Sequence, residues 1–307
     1  MKVFVTGATG YIGSAVARAL TRHGHSVLAL TRSPEAETRL VALSQATDCE
    51  FIRGDVKNAT SIRRGAEKAD GVIHAASPGD ETYAVADKTV IDAVLDTLAG
   101  SGRPFVYTSG VAVHGSTGDK IVDETAPYDP SPIVAFRVDC EKRVKAAAAR
   151  GVRSIVLSPA MVYGNAGGIA ALWFESARDY GIVRYVGEGA NRWTMVHVED
   201  LADLYVRALT NAPTGSAYFG AAGNAVRVHD AAVAASEGAG IPGEVEAVPY
   251  ETARQLIGPL ADLLVLDQQI SGEKAKRELG WNPNGGDFLS ELRTGSYARL
   301  RSGAARS

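Results

Sequence analysis

The chain has 307 residues, 46% of them hydrophobic and 22% charged, with a formal net charge of −3. That is ordinary globular composition, long enough for one large or two coupled domains. A pI of about 6.1 provides no basic field for nucleic acid, and no apolar run approaches the ~20 residues that span a bilayer, so a small molecule is the expected partner.

Residues 2–6 form a β-branched, aromatic run. Glycines follow at Gly7, Gly10 and Gly13, then an amphipathic stretch with apolar Ala15, Val16, Ala19 and Leu20. This is strand, tight glycine turn, helix. Gly7 lets the chain turn at positive φ, Gly10 lets backbone N–H groups approach a pyrophosphate, and Gly13 lets the helix pack close to the strand. The helix N-terminus adds unpaired N–H groups and a positive dipole end. With a second strand at 26–30, the set Gly7, Thr9, Gly10, Tyr11, Ile12 and Gly13 reads as a dinucleotide cradle. That second strand ends Ala29-Leu30-Thr31-Arg32-Ser33, with no carboxylate for the ribose 2′-hydroxyl of NAD. Arg32 offers a planar guanidinium to a 2′-phosphate and the adenine face, and Ser33 a hydroxyl. NADP(H) is therefore the expected cofactor, ahead of NAD(H).

Further strands are predicted at 50–53, 71–75, 104–108 and 153–158. Helices are predicted at 11–23, 34–46, 58–67, 82–100 and 132–150. This alternation predicts an α/β fold with a Rossmann-like, doubly wound parallel sheet. The loop from 110 to 131 is long and turn-rich, which points to a functional or mobile segment. Beyond Gly164 the pattern loosens: a glycine loop at 165–168, a helix at 172–180, a strand at 183–186, a helix at 197–209 and a short strand at 218–219. Helices follow around 228–238, 250–258 and 271–279. The expected division is a dinucleotide-binding domain of residues 1–164 plus about 196–222. A smaller, interleaved substrate lobe takes about 165–195 and 223–300. The tail 301–307 reads as frayed.

Cys49 and Cys140 fit no metal spacing and read as buried thiols in a reducing cytosol; no metal site is expected. With a strand starting at Lys2, no signal peptide is expected, and the expected location is cytoplasmic.

Several motifs, in order, resemble the short-chain dehydrogenase/reductase superfamily in its atypical or extended, NAD-dependent epimerase/dehydratase-like branch. They are Thr6-Gly-Ala-Thr-Gly-Tyr-Ile-Gly13, Gly54-Asp55-Val56, Val72-Ile-His-Ala-Ala76, Val106-Tyr-Thr-Ser-Gly110, Val162-Tyr-Gly164 and His197-Val-Glu-Asp-Leu-Ala202. The resemblance implies that Asp55 and Val56 meet the adenine, with Asp55 also a candidate helix N-cap. Ala75, Ala76 and Ser77 would line the ribose side, and Thr108, Arg137, Pro159 and Val162 complete the cofactor contacts.

The same resemblance exposes a gap in the chemistry. Relatives read Pro-Tyr-x-x-Ser-Lys-x-x-x-Glu where this chain reads Pro132 to Glu141, with Pro132 at the first helical position after a Ser131 cap. Ile133 then stands where the proton-donating Tyr belongs and Arg137 where Lys belongs, and Gly110 takes the place of the catalytic Ser. Arg137 binds ribose hydroxyls but stays charged, so it cannot relay a proton. Atypical members with Arg-x-x-x-Glu in this place match Arg137 and Glu141. Catalytic candidates are then His114, a residue type suited to general acid–base work, Arg137, Thr108 and Ser109. Tyr163 and Tyr128 are lesser candidates, the second as a lid. His74 reads as a buried, satisfied histidine, and His197 and Asp200 as helix architecture. Arg192-Trp193 reads as packing between lobes, ahead of an anion or planar-substrate site.

The expected function is an NADP(H)-dependent oxidoreductase, or a related epimerase or dehydratase, on a small organic substrate and without the usual Ser-Tyr-Lys triad. The alternative is a non-catalytic NADP(H)-binding redox sensor or interaction protein. A homodimer is expected through helices 82–100 and 132–150, with Ala84, Val85, Val90, Val94, Val138 and Val144 as core or contact residues.

Overall fold

The computed structural model describes residues 1–44, 49–77 and 82–300. The frayed-tail expectation for 301–307 and the last residues of the helix predicted at 34–46 lie outside these. Seven apolar runs form one parallel sheet. They are β1 (Lys2–Thr6), β2 (Ser26–Thr31), β3 (Cys49–Arg53), β4 (Gly71–His74), β5 (Pro104–Thr108), and the strands Arg153–Pro159 and Ser216–Gly220. From one edge the order is β3-β2-β1-β4-β5, then 153–159, then 216–220. Every neighbouring pair is parallel.

A parallel sheet buries both faces, so its strands read as continuous apolar runs. In β1, Val3 and Val5 face one core with α1 (Tyr11–Arg22) and the helix Val198–Asn211. Phe4 faces the other, packed under α3 (Ala59–Glu67), α4 (Tyr83–Leu98) and α5 (Phe136–Ala146). The period of two is what sends alternate side chains to opposite layers. The helix α2 (Pro34–Ser44) joins β2 to β3.

Several local expectations shift. The stretch from Pro132 to Ala135 is a turn, and α5 starts at Phe136, so Ser131 does not cap it. The cap of α3 is Asn58, whose side chain accepts from Thr60 and Ser61 amides; Asp55 is not the cap. Cys140 is buried but Cys49, on an edge strand, is only half-buried. Of the proposed contact residues, Val90, Val94 and Val144 are completely buried in the core, and Val85 is 64% exposed. The ion pairs Lys88–Asp92 and Arg143–Asp92 lie on α4 and α5, and Arg150, in the turn after α5, pairs with Asp96 of α4.

After Tyr163 the chain builds a second apolar core from the helices Ala170–Tyr180 and Val228–Ala239 and their surroundings. It returns to the main sheet between residues 198 and 220. Three short sheets form here; the strand at 183–186 was expected, while its pairing and the other strands were not. One joins 161–163, 192–197 and 222–227, one pairs Val183–Val186 with Val245–Val248, and one pairs Ile121–Val122 with Gln269–Ile270. These strands exist because partners distant in sequence supply their hydrogen bonds.

Asp200 ties the last segment to this frame. Its carboxylate accepts from the amides of Asn284 (3.0 Å) and Gly285 (2.8 Å), and its carbonyl accepts from the Trp281 indole at 2.8 Å. The His197 Nδ1 accepts from the Glu199 amide and caps the helix Val198–Asn211. Asp200→Ala leaves two partly buried amides without their acceptor, so stability falls by about 1 kcal/mol. Urea melts would check this; an unchanged midpoint would show that the segment is held by packing alone.

Candidate cofactor site

Strand order reverses between β1 and β4, and ligands of open parallel sheets lie in the crevice at the carboxyl ends of the strands there. A groove of about 690 Å³ occupies that position. Of the residues expected to bind cofactor, Gly7, Thr9, Gly10, Tyr11, Ile12, Arg32, Asp55, Val56, Ala75, Ala76 and Ser77 line it. Leu30, Thr31, Glu35, Ala36, Arg39, Gly54 and Lys57 line it as well.

The turn at the base is one a side chain would fill. Gly7 has φ +78°, and a Cβ there would lie 2.6 Å from the Ala75 carbonyl oxygen and the Ala76 backbone. A Cβ on Gly13 would sit 2.0 Å from the Gly7 carbonyl oxygen, so Gly13 is not on the groove wall but beneath it. The Gly10 amide donates to the Gly7 carbonyl at 2.9 Å, and Gly10 precedes α1 with no side-chain cap. The first amides of α1 have no intrahelical acceptor and no acidic residue stands in its first turn, which suits an anion. The residues present fit a bound pyrophosphate.

Tyr11 lines the groove, but its hydroxyl donates to the Gly164 carbonyl at 2.8 Å and its ring fills the space beside Gly167. Burial pushes its phenol far up. It therefore staples the cradle to the glycine loop after residue 164.

At the other end, Arg32 and Arg39 have no hydrogen-bond or ion-pair partner among the described residues, and Lys57 stands on the same wall. Glu35 is the one carboxylate beside them on α2, and the Ser33 hydroxyl holds it below the usual carboxylate range. Glu37 is committed elsewhere, accepting from the Thr31 hydroxyl and Arg53. Ser33 is not on the wall; its hydroxyl accepts from the Ala36 amide and so caps the start of α2. Arg39 was missed, although it lies four residues after Glu35 on the same face of α2. Asp55 accepts from the Lys57 amide at 2.8 Å through Oδ1.

Thr108, Arg137, Pro159 and Val162 are not on the groove wall. The Thr108 hydroxyl shares a 2.6 Å hydrogen bond with Tyr205, and Arg137 donates to the Thr108 carbonyl at 2.9 Å. Pro159 is buried in its strand opposite Gly220, and Val162 pairs with Val196. Ser109 is buried, and its hydroxyl finds no partner among the described residues. A Cβ on Gly110 would meet only open space. Ile133 is half-buried in the turn before α5.

Beneath these residues lies a chain of polar groups that was read only in part. Thr6 Oγ1 meets His74 Nδ1 at 2.6 Å, and His74 Nε2 meets Asp87 Oδ1 at 3.2 Å. Tyr107 donates to Asp87 Oδ2 at 2.8 Å. Asp87 is missed in a sequence reading because its neighbours on the buried face of α4, Val90, Ile91 and Val94, are all apolar.

His114 is not on the groove wall. It stacks on Tyr128 at 5.2 Å and meets the edge of Phe219. Its Nδ1 donates to the Pro127 carbonyl at 3.0 Å, which leaves Nε2 without a hydrogen-bond partner among the described residues. Tyr128 is no free lid: its hydroxyl donates to Glu141 at 2.8 Å and accepts from Lys145. Tyr163 donates to the Gly286 carbonyl at 2.7 Å. Arg192 is bonded by two nitrogens to Asp267, which joins the 118–119 loop to the C-terminal part. No group of three or more metal-ligating side chains occurs among the described residues. No helix there is long and apolar enough to cross a membrane.

The family described as NAD dependent epimerase/dehydratase matches residues 3–219. An uncharacterised protein of Saccharomyces cerevisiae is 32% identical over 299 residues, covering 95% of this chain and 98% of that protein. A 2-alkyl-3-oxoalkanoate reductase of Stenotrophomonas maltophilia is 27% identical over 89% of this chain and 86% of its own length. The structure of dTDP-glucose 4,6-dehydratase from Bacillus anthracis, in complex with NAD, superposes with a TM-score of 0.83 at 18% identity, covering 99% of this chain and 97% of that one. That likeness shows the shared fold.

Proposed function

The chain belongs to the NAD dependent epimerase/dehydratase family, and on that premise we propose that it is an NADP(H)-dependent oxidoreductase of a small organic carbonyl compound, working without the usual Ser-Tyr-Lys triad. The observation that carries the cofactor choice is the unpartnered pair Arg32 and Arg39 on a groove wall where β2 ends without a carboxylate. The likeness to a 2-alkyl-3-oxoalkanoate reductase supports carbonyl reduction. A homodimer through α4 and α5 belongs to the same proposal.

In this reading the Gly7–Gly13 turn and the first amides of α1 hold the pyrophosphate. Arg32 and Arg39 hold the 2′-phosphate, Asp55 and Val56 the adenine, and Ala75, Ala76 and Ser77 make room for the ribose. Bound cofactor supplies or accepts the hydride. Arg137 cannot deliver a proton; it orients the end of β5 through the Thr108 carbonyl. Of the proton-donor candidates, His114 keeps Nε2 uncommitted and Ser109 keeps its hydroxyl uncommitted.

Arg32→Glu should weaken NADPH binding roughly 10- to 100-fold, the worth of a charge-assisted hydrogen bond lost, while NADH binding changes little. Isothermal titration with both nucleotides measures this. Equal weakening of the two, or a wild-type preference for NADH, would overturn the assignment. For the chemistry, the test is NADPH oxidation across a panel of ketones and enones, with His114→Gln lowering kcat/KM about 100-fold or more if that ring moves the proton.

A second reading, an NADP(H)-binding sensor without turnover, draws support from how many candidate polar groups are already bonded: Thr108 to Tyr205, Tyr128 to Glu141, Tyr163 to Gly286. Steady turnover of any carbonyl compound would end it.

A further inference from the structure

The adenosine end of the groove carries charge of both signs. Arg32 follows β2, and Glu35 and Arg39 lie one turn apart on α2; all three line the same groove. An acid four residues before a base is the spacing that pairs on a helix, and it does so elsewhere in this chain, as Glu141–Lys145 and Asp203–Arg207. Glu35 forms no ion pair with Arg39 or Arg32 among the described residues. The next acid of α2 is bonded already: Glu37 accepts from the Thr31 hydroxyl and from Arg53. Glu35 is exposed. The Ser33 hydroxyl and its own amide hold its carboxyl below the usual carboxylate range, so it is ionised at neutral pH. A carboxylate has about four lone-pair sites, and these two donors do not fill them. Asp55, the other carboxylate lining the groove, comes from the turn after β3 and accepts from the Lys57 amide.

We propose that Glu35 opens this groove to a second dinucleotide: its carboxylate accepts from the adenosine ribose 2′-hydroxyl of NAD(H), while Arg32 and Arg39 take the 2′-phosphate of NADP(H), so both bind and Glu35 sets the ratio between them. This rests on the cofactor assignment above and names the residue that limits it. A ribose hydroxyl is a donor and needs an acceptor, whereas a 2′-phosphate is an anion and needs cations. The groove holds groups for each. Strand β2 ends at Thr31 and Arg32 follows, without the carboxylate that reads NAD at a strand end. The first turn of α2 brings a carboxylate to the same groove from three residues further on. Its charge works against NADP(H), because it stands beside the anion that Arg32 and Arg39 attract. Two cations against one anion leave NADP(H) the tighter ligand, by a margin that Glu35 keeps small.

Isothermal titration with NADPH and NADH tests this and requires no turnover. The wild type should bind both, NADPH the more tightly. Glu35→Gln keeps the side chain's shape and removes its charge. It should weaken NADH about fivefold, the loss of one charge-assisted hydrogen bond at an exposed site, and tighten NADPH about threefold, the relief of one screened repulsion. Glu35→Lys should enlarge both changes. Asp55→Asn is the control: adenine is common to the two dinucleotides, so this variant should move both affinities alike. The opposite signs at Glu35 are diagnostic, because a loosened α2 would weaken both ligands together. A Glu35→Gln protein that binds NADH as the wild type does, or that shifts both ligands in one direction, would overturn the proposal. So would a wild type that binds NADPH but shows no measurable affinity for NADH. The cofactor assignment fails separately. A wild type that prefers NADH, and loses that preference in Glu35→Gln, sustains Glu35 as the ribose acceptor and removes the NADP(H) reading. A wild type that prefers NADPH, with both affinities untouched by Glu35→Gln, sustains that reading and removes the role of Glu35.

Discussion

Gly13→Ala should abolish dinucleotide binding, raising the Kd for NADPH at least 100-fold. The added methyl would sit 2.0 Å from the Gly7 carbonyl oxygen, 2.6 Å from the Gly7 carbonyl carbon and 3.0 Å from the Ala8 Cα. All three are backbone atoms, so no rotamer change relieves the clash. Either α1 moves off the turn or the turn opens. Both misplace the amides that would face the pyrophosphate, and binding by preorganised donors is lost with the geometry. The overpacking itself costs ~1–3 kcal/mol, so the variant should still fold. Gly110→Ala is the matched control, since its methyl meets open space; its NADPH affinity should stay within about threefold of the wild type. A Gly13→Ala protein that binds NADPH normally would show that the groove is not a pyrophosphate site.

Asp87→Ala should be the most destabilising of the substitutions considered, by about 2–4 kcal/mol, the cost of leaving two buried hydrogen-bonding side chains without their partner. Asp87 is 1% exposed, and its carboxylate holds both His74 and Tyr107. Removing it strands both rings in an apolar layer. Burial alone would raise the Asp87 carboxyl, but the hydrogen bond and charge of His74, the charge of Arg137 and the Tyr107 hydroxyl bring it below its ordinary value. Its folded-state pKa is thus depressed. The stabilisation is fully present above the unfolded value of ~3.9 and is lost as pH falls through the lower folded value. Asp87→Asn, which cannot titrate, should remove this contribution from the acid limb. Urea midpoints measured from pH 7 down to pH 3 for the wild type and both variants would show it. Parallel pH profiles for wild type and Asp87→Asn would mean that the carboxylate is not charged in the fold. Because Thr6 precedes Gly7 and joins the same chain through His74, Asp87→Ala should also weaken cofactor binding.

How much was legible follows from the range of the interaction that sets each feature. The cradle was legible because its demands are local: a strand, three glycines and a helix within thirteen residues. Arg32 was legible as a cation at the end of β2. Arg39 was not, because only the seating of α2 against the groove puts it beside Arg32. Pro132 is compatible with a first helical turn, yet the helix starts four residues later, at Phe136. His114 carries the right chemistry, but packing against Tyr128 of its own loop and Phe219 of a strand far along the chain decides where its ring goes.

The amino-acid sequence by itself determined the sheet, its alternation with helices and the phosphate-binding turn, since apolar period, glycine freedom and helix ends act over a few residues. The tertiary structure alone decided which polar groups are spent and which are spare. It bonded Thr108 and Tyr163 to partners far along the chain, tied Tyr128 to Glu141, and left Arg32, Arg39, Ser109 and the Trp193 indole without any among the described residues. A side chain's chemistry is written in its identity, but its availability depends on a neighbour that only folding brings within 3 Å.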